Sequence, residues 1–171
     1  VIETHEAENP EDRSNSETTS MLRNLITFSD LRVEDVMVPR ADIIAIEDTA
    51  SMRELMQKFT EASHSRIPIY HETLDDVQGM VHVKDFLRWL TQRGGRKKDK
   101  AKAASGGALS VPAAELALTV KASGLAREVL FVPPSMPAGD LLLKMQTSHI
   151  HLALVIDEYG GVAGMVTIED V

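Results

Sequence analysis

Residues 77–86 read VQGMVHVKDF and residues 162–171 read VAGMVTIEDV, one string written twice, 85 positions apart. Each copy is an apolar run with a Gly-Met-Val core, a polar residue, two spacers and an Asp. A chain built this way is a tandem of two like units. The surroundings repeat too. Met52, Leu55, Met56 and Phe59 fall at i, i+3, i+4 and i+7, and Ala138, Leu141, Leu142 and Met145 take the same spacing 86 positions on. Each set predicts one face of an amphipathic helix. A β-rich run follows each helix, Arg66 to Tyr70 and Leu152 to Ile156, and then a polar turn, His71 to Asp76 and Asp157 to Gly161. An apolar run precedes each helix, Ile43 to Ile46 and Val129 to Val132. The order per unit is therefore strand, helix, strand, strand and the start of a second helix. One unit of about 55 residues buries a marginal core, whereas two packed together make a plausible domain.

The 171 residues hold 43% hydrophobic side chains, enough for a core, but only 4% aromatic ones, so aliphatic residues and eight Met must do the packing. With no Cys, disulfides and thiolate metal sites are excluded. A net charge of −8 argues against non-specific nucleic-acid binding. No apolar run reaches the length of a membrane span, and the segment reads as soluble. Residues 1–17 are acidic and polar and read as disordered. Residues 18–92 read as an N-terminal helix over Thr18 to Phe28, a helical turn at Val33 to Met37, and the first unit. Residues 93–125 read as a linker whose basic part is either solvated or set against phosphates, with an ordered piece at Leu116, Leu118 and Val120 leading into unit two. Residues 126–171 form that second unit, which stops where its last helix should begin. More protein is expected beyond Val171.

Thr167-Ile168-Glu169-Asp170 follows a predicted strand and has the spacing of a capping box. One reading is a helix cap worth about 1 kcal/mol. The other is an anion site, where a strand-to-helix turn offers free N–H groups and the positive end of the helix dipole. Thr167 would then donate to a phosphate and Asp170 accept from ribose hydroxyls. The equivalent turn in the first unit carries His82 and Asp85, read either as a strand-end imidazole or as a differently occupied half-site. Arg66 could reach a phosphate from the neighbouring unit or simply face solvent. Tyr70 could stack on a base or close the core edge. His149 and His151, two apart, would point to one face of a strand, as a metal pair or as plain strand-entry residues. No Ser/His/Asp or general acid/base set, no P-loop and no G-x-G-x-x-G string stands out.

The paired units, each closing on Gly-Met-Val-x-x-x-Asp, resemble a CBS-domain pair, or Bateman module. Leu31 to Arg40 (LRVEDVMVPR), Ser65 to Tyr70 (SRIPIY), Val155 to Gly161 (VIDEYGG) and Gly164 to Asp170 (GMVTIED) resemble the CorC/HlyC family, hemolysin C-like proteins linked to magnesium and cobalt efflux. The resemblance implies an α+β fold of two β-α-β-β-α units about a pseudo-two-fold axis, with two clefts between them. It also implies that an adenine nucleotide, AMP or ATP with or without Mg²⁺, binds there. Thr167 and Asp170 would contact phosphate and ribose around Ile168, and the segment Val129, Leu130, Phe131, Val132 and Pro133 would line the base. Arg66 would face phosphates, and Tyr70, His82 and Asp85 complete the candidate set. Further implied are a homodimer, an attached membrane transport domain and a place in the cytoplasm, at the inner face of the membrane. The leading expectation is a regulatory binding module, not an enzyme. The alternatives are a structural dimerisation module with vestigial clefts and a metal sensor built on His149 and His151.

Overall fold

The computed structural model describes residues 19–20, 30–94 and 111–171. The expected disorder over 1–17, nearly all of the helix at Thr18 to Phe28 and the basic stretch 95–110 lie outside those residues.

In the first unit a parallel pair forms between β2 (Ile46–Glu47) and β3 (Arg66–His71), with β4 (Thr73–His82) antiparallel on the other side of β3. Helix α2 (Met52–Ala62) lies between β2 and β3 in sequence, and α3 (Val83–Gly94) follows β4. Ser51 caps α2 reciprocally with Glu54, so two otherwise unpaired N–H groups are satisfied at its start. The second unit repeats the pattern. Strand β5 (Leu130–Val132) lies parallel to β6 (Leu152–Ile156), β7 (Val162–Thr167) runs antiparallel to β6, and α6 (Ala138–Ser148) joins β5 to β6. The helical faces read from spacing are the buried ones. Met52 and Leu55 enter one core with Ile67, Val81, Phe86 and Trp89, and Leu141 and Met145 enter another with Ala153, Val155 and Val166. The chain is thus an α+β tandem of two like units.

A third cluster joins the units. Met80, Leu152, Leu154 and Val162 are buried together, with Leu74, Val77, Val129 and Met165 packed around them. On β6 the alternation is direct, since Leu152 and Leu154 face the seam while Ala153 and Val155 face the core of their own unit.

The segments that lead into the units are exchanged. Helix α1 (Val33–Val36) precedes unit one, but Val33 is fully buried in the core of unit two, and its amide donates to the Met136 carbonyl at 2.9 Å. The next residues, β1 (Val38–Pro39), pair antiparallel with β7 of unit two. Reciprocally, α4 (Ala113–Leu116) and α5 (Val120–Ser123) precede unit two yet pack Leu116, Leu118 and Val120 on the core of unit one. Arg127 then exchanges both backbone hydrogen bonds with Met80, at 2.8 and 2.9 Å. The ordered piece expected within 93–125 is therefore present, but it completes unit one.

Two local expectations are corrected. The first hairpin turn is not His71 to Asp76. It tightens to Glu72, with φ 56°, because β4 starts at Thr73 and carries Leu74 and Val77 to the seam. Asp75 and Asp76 thus lie on a strand. His149 is not a strand residue either. It ends α6 in the left-handed conformation, with φ 56°, one residue before Ile150 leads to His151 and β6.

Candidate functional site

The two copies of the repeated string end at the seam, and each borders a cavity of about 260 Å³. Thr167, Glu169 and Asp170 line the first together with Met165 of β7. Its opposite wall is Ser63 to Arg66 of the first unit, where α2 ends with Ser63 at φ 54° and the chain turns into β3. Residues from both units therefore share one cavity, and Arg66, Thr167 and Asp170 of the candidate set meet there.

Within this cavity the polar groups hold one another. The Thr167 amide and its Oγ1 both donate to Asp170 Oδ2 at 2.7 Å. Residues 168–170 form a turn, and the Ile168 amide is taken by the His151 carbonyl at 3.2 Å. Arg66 Nη1 donates to both Glu169 oxygens, at 2.8 and 3.0 Å. Burial raises the Glu169 pKa, but the Arg66 guanidinium, with the Glu169 amide, outweighs it and holds the carboxyl below its ordinary value. The result is a guanidinium, a hydroxyl and two carboxylates at the mouth of a seam, a donor set able to meet phosphate oxygens, ribose hydroxyls or a phosphate-bound cation.

The second cavity lies at the other copy. His82 and Asp85 line it with Met80, Lys84 and Arg88 from unit one, Arg127 from the crossing strand, and His149 and His151 from unit two. Arg66 borders both cavities. His82 does act as a cap, for its Nδ1 accepts from the Lys84 amide at 3.0 Å. Burial and then the charge of Arg66 push its pKa below the ordinary imidazole value. Asp85 is buried and held by Arg127, with Nη2 at 2.7 Å from Oδ1 and Nε at 2.5 Å from Oδ2, while Arg88 stands 3.6 Å away.

The remaining candidates stand elsewhere. Tyr70 lies four residues along β3 from Arg66 and lines neither cavity. None of Val129 to Pro133 lines them. Val132 is buried and Leu130 packed in the core of unit two, Phe131 is exposed, and Val129 alone packs at the seam. No group of three or more metal-binding side chains occurs among the described residues, so His149 and His151 have no such companions there. Sequence reasoning missed Ser63, His64 and Arg127, which belong to no motif and reach the cavities only through tertiary contacts, and gave no role to Ser65, which opens the SRIPIY motif. It also missed Asp75, which accepts from the Val162 amide at 2.8 Å and pairs with Arg40 to tie unit one to unit two. The Arg40 hydrogen bond, then that amide, holds the Asp75 pKa low.

A family model of the CBS domain matches residues 33–92 and again residues 122–171. The chain belongs to the CBS domain family. Its two matched stretches are the two units, so it is a CBS-domain pair. The hemolysin C homolog of Rickettsia conorii (strain ATCC VR-613 / Malish 7) is 39% identical over 153 residues, 88% of this chain and 43% of the relative. The chain thus spans about two fifths of the length of the curated relatives it matches. A solved CBS domain of a bacterial CNNM/CorC family Mg²⁺ transporter in complex with ATP is 29% identical, covers 90% of this chain and 93% of its own, and gives a TM-score of 0.70. A CBS-domain pair with bound AMP from Klebsiella pneumoniae is 30% identical, with coverage of 82% and 94% and a TM-score of 0.55. The resemblance to the CorC/HlyC group drawn from the motifs therefore holds. No helix among the described residues is long and apolar enough to cross a membrane.

Proposed function

We propose that this CBS-domain pair is a regulatory module, not an enzyme, that takes AMP or ATP in the cavity between Thr167, Asp170 and Arg66. The observation that carries the reading is the convergence of those three residues, drawn from two units, on one cavity at the seam. Relatives solved with ATP and with AMP support it. Arg66 supplies charge to a phosphate, Thr167 a hydroxyl, and Asp170 an acceptor for ribose. The carboxylates of Glu169 and Asp170 beside a single guanidinium suit a nucleotide partly neutralised by Mg²⁺ better than a bare polyanion. The kinship with CorC and hemolysin C proteins supports a role beside a membrane transport domain for magnesium or cobalt, at the cytoplasmic face, with the module acting as a homodimer. The ligand would bias that domain only if two conformations bind it with different affinity.

A second reading, a structural dimerisation module with vestigial clefts, draws on one observation. Thr167 is already satisfied by Asp170, and Arg66 by Glu169, without a ligand. Titration calorimetry with AMP and ATP, with and without Mg²⁺, separates the two. The regulatory reading expects saturable binding that Asp170→Ala weakens about tenfold or more, since a charge-assisted hydrogen bond is lost. Equal affinity in wild type and variant removes Asp170 from the site. A melting temperature indifferent to both nucleotides supports the vestigial reading, because a ligand of the folded state must raise it.

A further inference from the structure

The repeat relates the two cavities position by position. Ser63, Ser65, Thr167 and Glu169 line the first; 85 or 86 positions away, His149, His151, His82 and Lys84 line the second. All four of these differences replace a neutral or acidic side chain with a basic one, whereas His64 lines the first cavity and its counterpart Ile150 does not line the second. The exchanged strand adds a fifth, since Arg127 stands opposite Met80 where Val38 stands opposite Met165. Arg66 and Arg88 complete the wall. Four permanent cations and three imidazoles therefore surround about 260 Å³ in a chain whose net charge is −8. Asp85 offsets one charge of the Arg127 and Arg88 pair and Glu169 offsets Arg66, so a positive excess remains around the cavity that an anion would offset further.

The one carboxylate present does not serve a ribose. Asp85 occupies the position of Asp170, but it is buried under ion pairs with Arg127 and Arg88, whereas Asp170 is exposed. Pulling Asp85 out of that pair would strand a desolvated charge. The wall holds no Phe, Tyr or Trp, its only rings are the three imidazoles, and its one apolar side chain, Met80, is buried. No broad apolar ring face is there to receive a base. Guanidinium groups match phosphate oxygens through paired N–H donors, and neutral His82 keeps a proton on Nε2 because its Nδ1 is an acceptor.

The geometry points to a second ligand site of a different class, for a compact inorganic polyphosphate of the pyrophosphate type, held by charge and not by a nucleoside. Its wall is Arg66, Lys84, Arg88 and Arg127, with His82, His149 and His151 as further donors. The two cavities share Arg66, but Lys84, Arg88 and Arg127 belong to this one alone, and the assignment is tested on them without a nucleotide.

The test titrates pyrophosphate, without metal, into the full chain and three variants by calorimetry. Lys84 and Arg88 are exposed, so Lys84→Ala/Arg88→Ala leaves the fold in place. That double variant is expected to bind pyrophosphate about tenfold or more weakly, with AMP affinity unchanged. Asp170→Ala is expected to keep pyrophosphate affinity within about twofold. His149→Gln/His151→Gln, outside the Asp85 ion pairs, is expected to weaken pyrophosphate binding several-fold, through the loss of two donors to its oxygens. No saturable binding to the wild type at millimolar pyrophosphate overturns the assignment. So does binding that Lys84→Ala/Arg88→Ala leaves untouched, or that Asp170→Ala abolishes. AMP titrations on the same proteins judge the first cavity separately.

Discussion

Replacing Gly79 with Ala places a Cβ 2.5 Å from the Arg127 carbonyl oxygen and 3.4 Å from its carbon, on a backbone with φ +149°. Both neighbours are main chain, so no side chain can rotate away. Either the crossing strand lifts and loses its two hydrogen bonds to Met80, or the β4 backbone distorts. Overpacking costs about 1–3 kcal/mol and a strained φ about 1–3 more, so roughly 3–4 kcal/mol is expected in total. Gly164, the same position of the repeat, gives a contrast. A Cβ there meets Met37 Sδ at 2.5 Å, Val38 O at 2.7 Å and Met37 Cγ at 2.9 Å, with no positive φ. Two of those atoms belong to a flexible thioether that can move, and the third is a main-chain carbonyl of β1, so an overpacking cost remains and the strained-φ cost is absent. The expected cost of Gly164→Ala is about 1–2 kcal/mol. Urea denaturation of both variants measures the difference. With a slope of about 2 kcal/mol/M, Gly79→Ala lowers the midpoint by roughly 1.5–2 M and Gly164→Ala by about half that or less. The variants should share the wild-type slope. Equal costs, the reverse order, or a loss under about 0.5 kcal/mol for Gly79→Ala would refute the claim that the repeated glycine admits a crossing strand.

Two further outcomes follow from the packing of unit one. Asp48 is buried and meets His71 at 3.1 Å and Lys121 at 3.2 Å. The Asp48 hydrogen bond raises the His71 pKa above 6.5, and the His71 hydrogen bond lowers that of Asp48 below 3.8. The stabilisation from raised His71 is complete below 6.5 and is lost as pH rises through the raised value; that from Asp48 is complete above 3.8 and lost in stronger acid. His71→Gln should therefore lower the melting temperature most between those two values, with the gap narrowing in alkali; a gap that widens with rising pH contradicts the pair. Val120→Ala, in the stretch read as linker, removes buried methyl groups from a side chain 1% exposed and should cost about 2 kcal/mol in chemical denaturation. A cost under about 0.5 kcal/mol would mean that the segment does not complete the first core.

The sequence alone determined the duplication, the order of elements and the core faces of both long helices. It also marked Thr167 and Asp170 as the pair closing the second unit. Each of these is a local property, because a helix writes its buried face every 3.6 residues and a motif brackets its own turn. Only the tertiary structure decided which unit each lead-in segment completes. Val38 pairs with Met165 and Arg127 with Met80, contacts between residues 127 and 47 positions apart that leave no period in the chain. The same closure brought Ser63 and Ser65 to one cavity and Arg127 to the other, and moved Val129 to Pro133 away from both. It gave two cavities of similar size different charge, because Arg127, His149 and His151 join His82 and Lys84 of one repeated string only through tertiary contacts, while Arg66 meets Glu169 and Asp170 of the other.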